Sequence, residues 1–482
     1  MTHTPEDYVM SPEEFRAAAH EMVDWMADYM HEVHRMHVAP TIDPGHVKHR
    51  LAKEPPAKGE SWETIFDDFK KIIVPGMTHW NHPGWFAYFP ANNSPASVLA
   101  EMATATVGAQ CMSWATSPAA TELEQVMMEW LRKMLGLPEG FTGVIQDTAS
   151  TATLVSLLTA RERATGFTFN DKGAAAEGAD KLCVYASNQA HSSIEKAVKL
   201  AGLGLDRFRQ IAVDENYAII PEELEKAIEA DIAAGLKPCA VVGVTGSTSS
   251  TAIDPLRAIG EICQKYDLWF HVDAAYAGPA AMLPEKRHII DGVGYADSFV
   301  FNPHKWLFTN FDCSAYFVRN KEALLKTFAM TPEYLKTLHD DNVVNFRDWG
   351  IQLGRRFRAL KLWFVIRSFG VDGLKAKISD HIAFANSFKM WVEESPLFEL
   401  MAPAPLGLVC FRFKPEGVTD EKKIDELNAQ LLHDVNGTGK IHITHTMLDG
   451  KYVMRFCVGQ LWTKRADVED AWELIDEKAE AL

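Results

Sequence analysis

The sequence predicts an α/β fold: a seven-stranded, mostly parallel sheet, with a helical segment before it and a small α+β unit after it. Three observations carry this expectation. Seven short runs rich in β-branched and aromatic residues fall between positions 143 and 318. Amphipathic stretches with helical spacing separate most of them. Strand and helix therefore alternate as in βαβ units, whose sheets are covered on both faces. The 482 residues amount to roughly three structural units at about 150 residues each.

Residues 1–94 read as helical. Ser11, Pro12 and Glu14 form an N-cap, N1 and N3 arrangement, and Phe15, Met22, Met26, Tyr29 and Val33 recur at helical spacing. A second helix is expected in SWETIFDDFKKII. The segment is aromatic with little core of its own, so it is expected to pack on something else, a second subunit being the candidate. From 95 to 375, GVIQ, LCVYA, RQIAV, CAVVGVT, LWFHVD, SFVFN and SAYFV read as strands. TATLVSLLTARERA, IEKAVKLAG, PEELEKAIEADIAAG and DPLRAIGEICQKY read as the helices between them. From 376 to 482, strands GLVCFRF, KIHITHT and KYVMRFCV and helices DEKKIDELNAQLLHDV and ADVEDAWELI describe a small α+β domain.

Composition narrows the function classes. Lys+Arg 48 against Asp+Glu 65 leaves a net charge of −17, which argues against nonspecific binding to nucleic acid or an anionic membrane. No apolar run approaches the roughly 18 residues of a spanning helix. The opening MTHTPEDYVMSPEEF lacks the basic and apolar regions of a secretory signal. Seven scattered cysteines, none in a C-x-x-C pair, read as reduced thiols, and the expected location is cytoplasmic. His31, His34 and His37 recur every third residue, but no cysteine or carboxylate cluster joins them and no metal site is expected.

Chemistry concentrates at strand ends, where open α/β sheets bind ligands. LWFHVDAAYAG places Asp273 after an apolar strand, where a carboxylate is costly unless a cation faces it. SFVFNPHKW places His304 and Lys305 after the next one. Burial among apolar neighbours lowers a lysine's pKa, which suits Schiff-base chemistry. IQDTASTATL runs from a strand into a helix whose free N–H groups attract phosphate. Together these are the three handles of pyridoxal 5'-phosphate: Lys305 for the aldehyde, Asp273 for the pyridine nitrogen, and Thr148, Ala149 and Ser150 for the phosphate.

The chain resembles the group II pyridoxal-phosphate-dependent decarboxylases, specifically the aromatic L-amino acid decarboxylases. The matching segments are HPGWFAYFP, SWATSPAATELE, GVIQDTAST, YASNQAHSSIEKA, HVDAAYAG, DSFVFNPHKW, PEYLK and LGRRFRALKLWF. The resemblance implies a fold-type I (aspartate aminotransferase-like) homodimer. It implies that His191 stacks on the cofactor ring with Ala275 on the opposite face. Thr248 and His304 would border the ring and the substrate carboxylate, Asn302 the phosphate, and Lys305 would carry the Schiff base. Tyr334 matches the family tyrosine that delivers a proton to Cα from a loop. Tyrosine there, with His191, points to simple decarboxylation, whereas relatives carrying phenylalanine tend to be aldehyde synthases.

Trp80, Trp85, Phe86, Tyr88, Phe89 and Pro90 supply an aromatic-rich wall suited to a flat side chain, which the matching segment favours as substrate pocket over core; the resemblance adds Gln110, Met112, His304 and Gly354. Ala91, Gln110 and Met112 depart from animal members. Gly354 resembles the indole-accepting plant enzymes, which puts tryptophan ahead of phenylalanine, tyrosine and DOPA. Three rival readings stand beside this one: an aldehyde synthase, a decarboxylase of acidic amino acids or histidine, and an idle pyridoxal-phosphate-binding regulatory protein.

Overall fold

The computed structural model describes residues 9–330 and 343–482. The seven expected strands form a single sheet: β1 (Thr142–Gln146), β2 (Leu182–Ser187), β3 (Phe208–Ile211), β4 (Lys237–Val244), β5 (Trp269–Asp273), β6 (Ser298–Phe301) and β7 (Ser314–Val318). Their order across it is β1-β7-β6-β5-β4-β2-β3. β2 through β6 pair in parallel, while β7 runs antiparallel to both β1 and β6. The direction of β1 thus matches that of β6. The carboxyl ends of β1, β2, β4, β5 and β6 consequently open on one edge.

Strand periodicity decides what covers each face. On one side Cys183, Tyr185, Phe270 and Val272 join a core with the helices Pro118–Leu135, Pro221–Ala233 and Leu256–Lys265. On the other, Val184, Ala186, Val242 and Trp269 pack on Ala149–Ala164 and Ser192–Leu200. Each buried aliphatic or aromatic side chain of this kind stabilises the fold by about 1.5–3 kcal/mol.

A second sheet, ordered β10-β11-β9-β8, consists of β8 (Phe398–Leu400), β9 (Leu408–Phe413), β10 (Thr444–Leu448) and β11 (Lys451–Cys457). It departs from the sequence reading in two ways. β8 was not expected, because its three residues carry no pattern of their own. KIHITHT is only partly strand: β10 starts at Thr444, since Ile441 and Ile443 are buried in the core of the small sheet and His442 instead pairs with Trp85. The helix Arg358–Glu394 links the two sheets and breaks its helical path at Gly370 (φ 65°, ψ 165°).

The first helix, Pro12–Glu32, starts at Ser11 with the expected capping box. Ala18 is the single buried residue along its length, and Phe15 is 59% exposed. Trp25 packs on Phe66 and Phe69 and Tyr29 on His79, so only part of its apolar surface is covered by this chain. The seven cysteines are free and buried. Among the described residues no helix is long and apolar enough to cross a membrane, and no group of histidines, cysteines and carboxylates is arranged to hold a metal.

Candidate active site

The carboxyl ends of five strands converge on a cavity of about 180 Å³. Thr148, Ala149 and Ser150 come from the turn after β1, and His191 and Ser193 from the turn after β2. Val244 ends β4 and Gly246 and Thr248 follow it, Asp273 ends β5 and Ala275 and Tyr276 follow it, and Asn302, His304 and Lys305 follow β6. Phe89 enters from the N-terminal segment. Every residue that the sequence pointed to for holding the cofactor thus lines this one space.

Lys305 is half-buried, with its amine inside the cavity and 5.4 Å from the centre of the Phe89 ring. Burial pushes its pKa below the ordinary lysine value, and the charge of Asp273 opposes that shift. Asp273 is 5% exposed. Its Oδ1 accepts the Ala275 N–H at 2.9 Å, while Oδ2 takes no hydrogen bond from any described residue. Two residues back along β5, His271 is sealed in a network with Ser298 and Ser156. His271 Nδ1 lies 2.9 Å from Ser298 Oγ, and the two hydroxyls are 2.9 Å apart. Burial pulls His271 down to about 4.

Thr148 caps the helix Ala149–Ala164 by accepting the Thr151 N–H at 3.3 Å. The amides of Ala149 and Ser150, in the first turn, have no carbonyl partner within the helix. His304 is buried, and its Nδ1 accepts the Cys313 N–H at 2.9 Å. Burial and neighbouring Lys305 push it down to about 3, so the ring stays neutral. Asn302 Oδ1 accepts the Ser314 hydroxyl at 2.7 Å. This set fits pyridoxal phosphate: an amine inside the cavity, a carboxylate with an open acceptor, a cradle of free N–H groups, and His191 and Ala275 lining the same space.

Aromatic rings extend the wall. Phe89 stacks on Tyr276 at 3.9 Å and 4°, and Tyr276 on Trp306 at 4.5 Å and 8°. The Trp306 indole N–H donates to His381 Nδ1 at 3.0 Å. Arg455 on β11, 4% exposed, donates to the carbonyls of Thr248 at 2.7 Å and Ser249 at 3.1 Å. The small sheet thereby fixes the Thr248 turn.

The remaining candidates lie elsewhere on the chain. Trp80 and Tyr88 stack 5.6 Å apart and are 36% and 52% exposed. Pro90 is buried against Gly459. Gln110 Oε1 accepts the Arg355 N–H at 2.9 Å, and Gly354 is adjacent to the Gln110 amide. The Met112 carbonyl accepts the Arg347 N–H at 2.8 Å. None of these six lines the Lys305 cavity within one chain. Tyr334 lies outside the described residues. The sequence reading gave no role to Ser193, Val244, Gly246, Tyr276 or Arg455. An arginine inside the apolar run VMRFCV was the one signal that pointed to the last of these.

Residues 44–414 match the family model described as the pyridoxal-dependent decarboxylase conserved domain. Over 480 residues the chain is 42% identical to tryptophan decarboxylase 2 of Oryza sativa subsp. japonica, covering 98% of this chain and 95% of the relative. It is likewise 42% identical over 483 residues to phenylacetaldehyde synthase of Arabidopsis thaliana, covering 98% and 97%. The crystal structure of Oryza sativa TDC with PLP and tryptamine superimposes with a TM-score of 0.95 at 37% identity, covering 100% of this chain and 99% of that one. A family match over most of the chain, together with the converging strand ends, shows that this protein belongs to the pyridoxal-dependent decarboxylases.

Proposed function

We propose that this chain decarboxylates an aromatic L-amino acid, with tryptophan ahead of phenylalanine, tyrosine and DOPA, to the arylalkylamine and CO2. The observation that carries the reading is the union of Lys305, Asp273 and the 148–150 amides in one cavity walled by stacked aromatic rings. Bound pyridoxal phosphate supplies an electron sink for the pair released when the Cα–carboxylate bond breaks. Lys305, made more nucleophilic by burial, would hold the cofactor through its aldehyde. Asp273 would hold the pyridine nitrogen in its protonated form through its open Oδ2. His191 and Ala275 would flank the ring. Thr248 and His304 border the ring and the substrate carboxylate, and Asn302 stands near the phosphate end. Tyr334 returns one proton to Cα, so that amino acid becomes amine plus CO2 with no oxidant consumed.

Two chains are proposed to form the working unit. The first helix leaves Phe15 and Val23 exposed, and Trp80, Tyr88, Gln110, Met112 and Gly354 would reach a cavity through a second copy. The proposed layout is a helical dimerisation segment at 1–94, a cofactor-binding domain at 95–375 and a small domain at 376–482. The cytoplasm is the proposed location, because seven buried free thiols suit a reducing compartment. A Cβ at Gly354 would press on Gln110 Nε2 at 3.2 Å, and it is the resemblance of this glycine to the indole-accepting plant enzymes that puts tryptophan first.

The likeness to phenylacetaldehyde synthase supports a second reading. In that reaction the amino acid, O2 and water become aldehyde, CO2, ammonia and hydrogen peroxide. Product analysis over a panel of L-amino acids separates the two. Amine and CO2 in equal amounts are expected, with aldehyde and peroxide rising in Tyr334→Phe. Stoichiometric aldehyde and peroxide from the wild type would overturn the decarboxylase reading.

A further inference from the structure

The helix Ser192–Leu200 is capped by an imidazole. His191 occupies the N-cap position (φ −63°, ψ 142°), where serine, threonine, aspartate or asparagine is the usual choice. Its Nδ1 accepts the Ser193 backbone N–H at 3.1 Å and lies 2.8 Å from Ser193 Oγ. A backbone N–H only donates, so Nδ1 bears a lone pair and the Ser193 hydroxyl must donate to it as well. The neutral ring then carries its proton on Nε2, at the opposite edge. Ser193 is 7% exposed and lines the same cavity as His191 and Lys305.

We propose that Ser193 is a positioning residue for the decarboxylation, its hydroxyl and amide together locking His191 in the Nε2–H tautomer with the ring fixed over the cavity. His191 then presents a donor, never an acceptor, to the bound molecule. The proposal rests on the decarboxylase reading above. Three groups act on the imidazole besides its burial: Asp273 favours its charged form, whereas Lys305 and Lys196 oppose it. The positive end of the helix opposes it too. The Ser193 hydroxyl adds to the neutral side of that balance, so its removal raises the His191 pKa.

The test uses the holoenzyme with Ser193→Ala, Ser193→Thr and Ser193→Cys. Ser193→Ala is expected to keep the visible band of bound pyridoxal phosphate and the wild-type melting temperature. Its kcat falls about fivefold, the scale of one lost hydrogen bond, with KM unchanged. The acid limb of its kcat–pH profile moves to higher pH, and Ser193→Thr restores both. Ser193→Cys, which keeps the volume and weakens the donor, shifts both readouts the same way by less, and serves if the alanine variant does not fold. Wild-type kcat and acid limb in Ser193→Ala overturn the proposal, as does a loss that follows cofactor binding and melting temperature equally in the alanine and threonine variants. A wild type that binds the cofactor but forms no amine overturns the decarboxylase reading, and this proposal with it.

Discussion

Gly246→Ala is the substitution that most directly tests how the cavity is built. Gly246 follows β4, lines the cavity and has φ +82°, the left-handed region. Any side chain there costs about 1–2 kcal/mol from its Cβ alone. The added Cβ would also lie 2.6 Å from the Ala277 methyl, and overpacking of that kind costs about 1–3 kcal/mol. The loop has little freedom to relax, because Gly246 N–H donates to Ala252 O at 2.9 Å and Arg455 grips the Thr248 carbonyl at 2.7 Å. The expected total is about 2–5 kcal/mol, shared between stability and the position of Thr248. Denaturant unfolding followed by tryptophan fluorescence reads the first, and titration of apoprotein with pyridoxal phosphate reads the second. Adding Ala277→Gly removes the clashing methyl and leaves the φ strain. The double variant should therefore recover part of the loss, as a coupling term beyond the sum of the single effects. A Gly246→Ala protein with wild-type stability and cofactor affinity would refute the reasoning, and zero coupling would refute its steric half.

Two further predictions concern buried carboxylates near the same strand ends. Asp254 is 3% exposed and accepts the Ile219 N–H at 2.8 Å through Oδ1 and the Val244 N–H at 2.7 Å through Oδ2. Asp254→Asn can satisfy one of these donors but turns its NH2 toward the other, costing about 1–3 kcal/mol; unchanged unfolding midpoints would contradict this. For Lys305 the sign is set by the amine, which attacks an aldehyde only when neutral. Reconstitution of apoprotein with pyridoxal phosphate should accelerate as pH rises through the Lys305 pKa, with a midpoint below the ordinary 10.5 because of burial. Asp273→Asn removes the charge that opposes this shift, so its midpoint should fall further; an upward move would count against the assigned electrostatics.

The strands were legible because each is a local event. LCVYA and LWFHVD are apolar runs bounded by turn residues, and burial on both faces requires that composition. Asp273 and Lys305 stood out for the same reason, as charges that terminate such runs. What stayed hidden depends on contacts between distant segments. Arg455 and Thr248 are 207 positions apart in sequence, and no local pattern announces their hydrogen bond. The stacking of Phe89 on Tyr276 likewise joins the N-terminal segment to the turn after β5. β10 shows the converse failure. KIHITHT alternates like a strand, yet tertiary packing takes Ile441 and Ile443 into the core and leaves pairing to begin at Thr444. Gln110 and Gly354 enter through the resemblance alone, and nothing local to them indicates which cavity they serve.

The two cavity histidines constrain where the last proton of the proposed reaction originates. Each imidazole uses Nδ1 to accept a backbone N–H, from Ser193 for His191 and from Cys313 for His304. Burial lowers the pKa of both, with Lys305 adding to the effect in each case. Both rings are therefore neutral near pH 7 and hold a single proton on Nε2. A neutral imidazole donates a hydrogen bond readily but gives up its only remaining proton far less readily than imidazolium does. The proton that Cα must gain is then left to a better acid, a phenol or the ammonium form of Lys305. In the proposed reaction a tyrosine at position 334 would supply the phenol, and its replacement by phenylalanine would take away the donor and leave the carbon open to attack by O2. On this account the choice between amine and aldehyde rests on two features together: histidines held neutral by burial and by the nearby Lys305, and a tyrosine that would supply the proton they withhold.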